Sequence, residues 1–137
     1  MSPEQAQQFL RDHHHAVLAT LRSDGLPQMS PVTCAVDDEG RILISTRETA
    51  VKTRNLRRNP FASVCAFTDP FYGPWVQAEG TAEVVPLPDA MDLLIQYYRL
   101  ASGGEHPDWD DYRAAMERER RVIVRVTISR IGPTVSG

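Results

Sequence analysis

Several features of common protein classes are scarce or missing in this chain of 137 residues. No apolar run approaches the ~20 residues of a membrane-spanning helix, so no membrane span is predicted. The only two cysteines, Cys34 and Cys65, form no C-x-x-C pair, which argues against a disulfide scaffold or a cysteine zinc site. Glycine-rich phosphate loops of either familiar type are also absent. We therefore expect free thiols and a cytoplasmic protein, which the polar, helix-like residues 1–12 also favour.

The residues that are present describe a globular chain with one core. Hydrophobic residues make up 42% of the sequence and charged residues 24%, with a net charge of −3. This length suffices for one domain and is short for two ordinary ones, so a single domain is predicted over residues 1–137.

Residues 41–60, RILISTRETAVKTRNLRRNP, hold an unusual concentration of positive charge. An apolar strand leads into a short basic helix, and between Arg47 and Arg58 five cations stand against the single anion Glu48, a local net charge of +4. The five cations are Arg47, Lys52, Arg54, Arg57 and Arg58. Like charges four residues apart on a helix repel by roughly 0.2–0.5 kcal/mol per pair. A stretch that tolerates this repulsion is a candidate anion-binding site.

The start of the basic helix supports the same hypothesis. Thr49 is predicted to cap the helix, which leaves first-turn N–H groups and the helix dipole available to a phosphate or carboxylate. Ser45 and Thr46, at the end of the preceding strand, offer hydroxyl donors. The alternative is an ordinary solvated basic face. Nucleic-acid binding is not favoured, because the charge lies on one helix of an acidic protein.

The hydrophobic periodicity predicts six strands and four helices. Helices are expected over residues 2–13, from Thr49 to about residue 58, 89–102 and 108–118, and strands over 16–22, 28–36, 42–47, 60–67, 75–85 and 122–131. Hairpin-like connections and the lack of regular βαβ alternation indicate a mainly β, six-stranded antiparallel barrel with peripheral helices. Gly80 is predicted to mark a bulge in the fifth strand.

Histidine-containing segments are not predicted to bind a metal. The run His13, His14 and His15 points in successive directions, and no further Cys/His cluster accompanies it. The segment EHPD at residues 105–108 is expected to form a loop and a helix cap. Trp109 and Tyr112 are expected to pack the last helix in place.

Longer motifs make the chain recognisable as a whole. The segments LATLRSDGLPQMSPV, VKTRNLRRNP, AEGTAEV, GGEHPDWDDYRAAMERERRVIV and ISRIG follow one another over nearly the whole sequence. Together they resemble the split β-barrel family that binds flavins and deazaflavins and is similar to pyridoxamine 5′-phosphate oxidase. The nearest resemblance is to its actinobacterial branch, the F420-dependent oxidoreductases of the PPOX class, for which KTRNLRRNP and HPDWDDYR are the more diagnostic motifs.

This resemblance implies a homodimer with the cofactor in a groove between two barrels. It assigns the phosphate to residues 45–46 and 51–55, the ring system to 29–32, a closing turn to 73–75 and a further contact to the last strand. The residues so implied are Met29, Ser30, Pro31, Val32, Ser45, Thr46, Val51, Lys52, Thr53, Arg54, Asn55, Gly73, Pro74, Trp75 and Arg130. Ala50 stands where the family often has a second basic residue, so Lys52 is expected to bind the phosphate with help from Arg47 or Arg54.

The implied activity is hydride transfer from reduced F420, an 8-hydroxy-5-deazaflavin with a phosphate and a polyglutamate tail, to a small organic acceptor. The cofactor supplies that chemistry and the protein positions it. No histidine or carboxylate stands out as a proton donor, so no catalytic side chain is nominated, and no metal is expected. Two alternatives stay open: an FMN enzyme of the pyridoxamine oxidase type, and a non-catalytic F420 carrier or sensor.

Overall fold

Alternating apolar residues form six β-strands, and helices are inserted between them, over the residues 1–132 that this computed structural model describes. The elements in chain order are α1 (Pro3–Asp12), β1 (His15–Leu21), β2 (Pro27–Val36), β3 (Ile42–Arg47), α2 (Val51–Arg58), β4 (Phe61–Phe67), β5 (Trp75–Val85), α3 (Ala90–Ser102), α4 (Trp109–Arg118) and β6 (Arg121–Ile131). Every predicted element is present, with ends that differ by at most about two residues. Within residues 1–132, no helix has the length and apolar content needed to cross a bilayer.

The strands close into an antiparallel barrel in the order β1-β2-β3-β6-β5-β4, which confirms the predicted fold class. Inward-facing side chains such as Leu18, Ile44, Val64, Val76 and Val124 are fully buried and form the barrel core. Each contributes roughly 1.5–3 kcal/mol relative to an exposed position. The barrel is therefore held mainly by side chains of alternate strand positions, as the sequence pattern predicts.

A second, smaller core lies outside the barrel, where α3 and α4 cover β3 and β6. Leu43 and Ile123 point outward from these strands and are fully buried against Leu94 and Tyr112. The Tyr112 hydroxyl donates a 2.7 Å hydrogen bond to the Leu94 carbonyl, which ties α4 to α3. Tyr112 is thus a packing residue, as predicted, and the two helices cover the outer face of the barrel at Leu43 and Ile123.

The neighbouring strands β2 and β3 stay paired over only part of their length. Residues 34–36 of β2 pair with residues 42–44 of β3, whereas residues 27–33 pair with β1 alone. The end of β3 continues along β6, so the two strands separate beyond Cys34. Pro31, which has no N–H to donate, lies in the half of β2 that has this free edge. The separation opens a groove in the wall of the barrel.

A β-bulge interrupts the pairing of β5 with β6 at Gly80, as predicted. Gly80 pairs with Ile128, but Glu79 pairs with Arg130, so Ser129 is the extra residue on β6. The Ser129 hydroxyl donates to the Glu79 carbonyl at 3.3 Å. A side chain at Gly80 would collide with the Thr127 backbone, because its Cβ would lie 2.8 Å from the Thr127 carbonyl carbon. Glycine is required there for close approach of the two strands.

Both cysteines are free thiols, Cys34 buried in the barrel and Cys65 half-buried on β4. Burial raises the pKa of Cys34 to about 12, so this thiol is inert at neutral pH.

Candidate functional site

The groove between the separated ends of β2 and β3 has a volume of about 650 Å³. Its floor and sides come from these strands, from the start of α2 and from the helices α3 and α4. The residues that line it are Pro31, Val32, Thr33, Ser45, Thr46, Arg47, Thr49, Ala50, Lys52, Tyr97, Tyr98, His106, Asp111, Tyr112, Ala115, Met116 and Arg121. Five of the fifteen predicted site residues therefore lie together here, and they include Lys52 and both strand-end hydroxyls.

Lys52 reaches into the groove from the first turn of α2. Its Nζ donates a 3.2 Å hydrogen bond to the Oγ of Ser30, across the free edge of β2. Partial burial lowers the pKa of Lys52, and repulsion from Arg121 lowers it further. An anion bound beside this ammonium would relieve that repulsion. Lys52 forms no ion pair with a carboxylate of the described residues, so its charge is available to a bound anion.

Arg121 is a groove cation that the sequence did not indicate. Antiparallel pairing of β3 with β6 places it directly opposite Arg47, an unfavourable pair of like charges. Glu119 lies between them and accepts hydrogen bonds from Arg121 at 2.7 Å and from Arg47 at 3.4 Å. The two guanidinium groups lower the pKa of Glu119, with Arg121 as the larger cause. One carboxylate thus neutralises only one of the two arginine charges, and Lys52 adds a third positive charge to the group.

The predicted helix cap at Thr49 is wrong. The chain turns between Arg47 and Ala50, with the Ala50 N–H donating to the Arg47 carbonyl at 3.1 Å, so the helix begins one residue later. Ala50 is the N-cap, and no side chain of residues 1–132 caps α2. The first-turn N–H groups are therefore even more available than predicted, and both Thr49 and Ala50 line the groove.

The rest of the predicted phosphate segment points elsewhere in this single chain. Thr53 is buried and donates a 2.6 Å hydrogen bond to the Arg47 carbonyl. Asn55 is buried too, donates to the Thr20 hydroxyl at 3.1 Å and accepts from Arg58 at 2.9 Å. These polar groups hold α2 onto the barrel. Arg54 and Val51 are exposed and outside the groove, so their assignment to the cofactor stays a prediction.

The positive charge of the basic stretch is only partly directed at the groove. Arg57 pairs with Glu48 at 2.6 Å, on the rim of a separate cavity of about 270 Å³. Arg58 donates to the Leu21 carbonyl at 3.0 Å. Of the five cations that the sequence indicated, Lys52 and Arg47 line the groove. Counting charges located the segment but not the directions of its side chains.

A further group of predicted residues lies on the outer face of the barrel. Met29 is 63% exposed, Arg130 is exposed, and Trp75 is half-buried at the start of β5. Gly73 and Pro74 belong to the loop before that strand. In a single chain these residues do not meet Lys52, and their roles stay predictions.

The wall opposite the cations is aromatic. Tyr97 and Tyr98 come from α3, Tyr112 from α4, and His106 from the connection between these helices. The Tyr97 hydroxyl donates to the Thr33 carbonyl at 3.0 Å, on the half of β2 that does not pair with β3. Burial raises the pKa of Tyr97 and raises that of Tyr112 to about 12. The sequence predicted Tyr112 as a packing residue but gave no sign that it borders a groove.

The predicted loop and cap at residues 105–108 is confirmed. Asp108 is the N-cap of α4 and accepts from the Asp111 N–H at 3.1 Å, while the Asp108 N–H donates to His106 Nδ1 at 2.9 Å. In the part of the chain that is described, no three His, Cys, Asp or Glu side chains are grouped to hold a metal ion.

A closed antiparallel barrel with a ligand-sized groove between two separating strands defines a split β-barrel protein. The family model described as pyridoxamine 5′-phosphate oxidase matches residues 2–134, and the chain belongs to this family.

Solved structures agree with this assignment over nearly the whole chain. A conserved hypothetical protein from Mycobacterium tuberculosis is 26% identical, with a TM-score of 0.77 over 100% of this chain and 93% of that one. A protein described as an F420 reductase is 25% identical, with a TM-score of 0.70 over 96% and 98% of the two chains. A putative pyridoxamine 5′-phosphate oxidase from Listeria innocua shares the fold at 15% identity, with a TM-score of 0.71 over 98% of both chains.

Proposed function

We propose that this protein is an F420-dependent oxidoreductase of the actinobacterial branch of its family, which transfers hydride to a small organic acceptor in the cytoplasm. The observation that carries the proposal is the cationic side of the groove, where Lys52, Arg47 and Arg121 lie beside the uncapped start of α2. Membership in a flavin-binding family and the 25% identity to an F420 reductase support it.

The donor set fits the anionic part of F420. Lys52 and the first-turn N–H groups of α2 offer charge and directed hydrogen bonds to a phosphate. The hydroxyls of Ser45 and Thr46, which line the same side, add neutral donors. Arg121 and Arg47 share one carboxylate between them and keep a positive excess for the phosphate or the glutamate tail. We infer that these five residues hold the cofactor's charged arm.

The deazaflavin, when bound, supplies a hydride donor at C5. The protein's own contribution is to position it: Lys52 and Ser30 connect α2 to the free edge of β2, and Tyr97 holds that edge at Thr33. The groove is open on one side in a single chain, so we propose that a second copy completes it.

The outer face of the barrel supports such a homodimer. Strand register places five side chains in one transverse row: Met29 beside Ala19, Ala19 beside Ser63, Ser63 beside Glu79, and Glu79 beside Arg130. A two-fold axis through the middle of this row brings Arg130 of one protomer to the partner's Met29. The resemblance assigns both of these residues to the cofactor, and we propose that they meet it only in the dimer.

An FMN enzyme is the second candidate, because the family as a whole is described by a pyridoxamine phosphate oxidase. The phosphate of FMN would use the same cations, so the groove alone does not favour one cofactor. The 25% identity to the F420 reductase is the observation that favours F420.

Parallel titration with oxidised F420 and FMN tests the proposal, followed by an acceptor screen with reduced F420. We expect oxidised F420 to bind at least tenfold more tightly than FMN. We also expect at least one conjugated acceptor to oxidise reduced F420 in the presence of the protein. Protein that is purified with bound FMN and does not bind F420 would establish the second candidate. Saturable F420 binding without turnover of any acceptor would instead indicate a carrier or sensor.

A further inference from the structure

We propose that the aromatic side of the groove is a separate subsite, which binds a flat, uncharged, conjugated compound through a carbonyl oxygen, with His106 as the hydrogen-bond donor. We call this side the α3–α4 wall; it consists of Tyr97, Tyr98, His106, Asp111, Tyr112, Ala115 and Met116. The inference rests on the proposed function in one respect, since it identifies this compound as the hydride acceptor.

His106 is held in one orientation by its own loop. The Asp108 N–H donates to Nδ1 at 2.9 Å, so in the neutral imidazole the proton is on Nε2. The ring is packed among three aromatic side chains, with centroid distances of 5.0 Å to Tyr98, 5.4 Å to Tyr112 and 5.7 Å to Trp109. A fixed neutral imidazole with one N–H is a directed donor to a carbonyl oxygen.

Two of the three tyrosine hydroxyls of the wall are already used. The Tyr112 hydroxyl donates to the Leu94 carbonyl, and the Tyr97 hydroxyl donates to the Thr33 carbonyl. Among residues 1–132, no hydrogen-bond partner is found for His106 Nε2, and the residue lines the groove. Among the described residues the Tyr98 hydroxyl has no hydrogen-bond partner either, but a hydroxyl hydrogen rotates, so the half-buried imidazole presents the donor of fixed direction on this wall.

The composition of the wall indicates the class of ligand. Tyrosine rings and Met116 offer apolar and polarisable surface to a flat molecule. Asp111 is the one carboxylate among the described residues that line the groove, and it stands on this side, opposite the cations. An anion is therefore favoured on the Lys52 side and disfavoured here. An uncharged ring system with a carbonyl group fits both the surface and the donor.

The test uses 9-fluorenone and fluorene, two flat probes of nearly equal shape that differ in the carbonyl group. Equilibrium dialysis at micromolar probe and excess full-length protein gives both affinities, with and without saturating oxidised F420. We expect the ratio of fluorenone to fluorene affinity to fall by about 3- to 10-fold in His106→Phe, the effect of one lost hydrogen bond. His106→Gln, which keeps an N–H donor near the Nε2 position, should retain most of the ratio.

Met116→Ala is the matched control, because it removes apolar contact for both probes without removing a hydrogen-bond donor, and it should leave their ratio within about twofold of the wild type. An unchanged ratio in His106→Phe, with unfolding temperature intact, overturns the subsite. If the ratio of fluorenone to fluorene affinity falls in His106→Phe but the wild-type protein does not bind F420, the subsite is supported and the proposed cofactor is rejected. If the wild type binds F420 but does not prefer fluorenone to fluorene, the cofactor is supported and the subsite is rejected.

Discussion

The Nζ of Lys52 donates to the Oγ of Ser30 at 3.2 Å, and this hydrogen bond joins the basic helix α2 to the free edge of β2. The two residues are 22 positions apart in the chain, and the bond crosses the groove where β2 and β3 separate. The charge proposed to hold the cofactor is thus attached to the strand proposed to lie along its ring.

Replacing Lys52 by alanine tests the central site residue. We expect F420 binding to weaken by about 1.5–3 kcal/mol, because a charge-assisted hydrogen bond to the phosphate is lost. Isothermal titration calorimetry measures the change. The control is Arg113→Ala, which removes the same unit of charge from α4 at a position outside the groove-lining set. An unchanged dissociation constant in the folded Lys52 variant would refute the assignment.

The pH dependence of binding gives a second test of Lys52. Burial and Arg121 lower the pKa of Lys52, so this lysine loses its proton at a lower pH than an ordinary lysine, whose pKa is about 10.4. F420 affinity should therefore decline as the pH rises through the alkaline range. In Lys52→Arg the charge persists, and the decline should disappear. Dissociation constants measured from about pH 7 to 10 decide the point; an identical decline in both proteins would exclude Lys52 as its source.

Arg121→Gln tests the cation that sequence analysis missed. Loss of this charge should weaken F420 binding by about 1–2 kcal/mol, in the range for a charged hydrogen bond. It should also raise the pKa of Lys52, since repulsion by Arg121 lowers it, and so move the alkaline decline of binding to higher pH. Titrations across the same pH range show both effects. If affinity and pH profile match the wild type, Arg121 does not belong to the site.

Met29→Glu tests the proposed dimer. Met29 is 63% exposed in the single chain, so the change should not affect folding of the protomer. In the proposed interface it would bury a carboxylate, and we expect the dimer dissociation constant to rise at least tenfold. Sedimentation equilibrium measures this value, with Leu100→Glu on α3 as the control. A wild-type protein that is monomeric at micromolar concentration would contradict the proposal directly.

Gly80→Ala tests the close approach of β5 and β6. An added Cβ would collide with the Thr127 backbone, and we expect the free energy of unfolding to fall by about 1–3 kcal/mol. Gly104→Ala is the matched control, because no heavy atom lies within 4 Å of a Cβ placed there. Urea unfolding followed by circular dichroism compares the two. Equal stability of both variants would mean that the strands can separate at no cost.

The fold could be predicted from the sequence because the strands carry an alternating pattern and most of the turns contain glycine or proline. The site could be predicted only where a local signal existed. Lys52, Ser45 and Thr46 lie within one short stretch, and the structure brings them to one groove. Arg121 reaches it through the pairing of β3 with β6, which no local pattern encodes.

Two kinds of detail were beyond local reasoning. Thr53 and Asn55 lie in the predicted phosphate segment, yet their side chains are turned inward and hydrogen-bonded within the protein. The direction of a helical side chain depends on which face packs. In α2, six of the eight residues are polar or charged, so the sequence does not show which of them face the barrel. Tyr112 was assigned to packing, which is correct, but the groove beside it is visible only in three dimensions.

The extra residue in β6 also determines the face of the barrel on which Arg130 lies. Simple alternation from Val122 through Val124 and Val126 would point residue 130 into the apolar interior. Because Ser129 is inserted opposite the Glu79–Gly80 step, Ile128 and Ile131 both pack against the core and Arg130 is exposed. If β6 ran on without the bulge, the same sequence would enclose a guanidinium group in hydrocarbon and turn Ile131 out to solvent, so the irregular step keeps both residues in the surroundings that suit them.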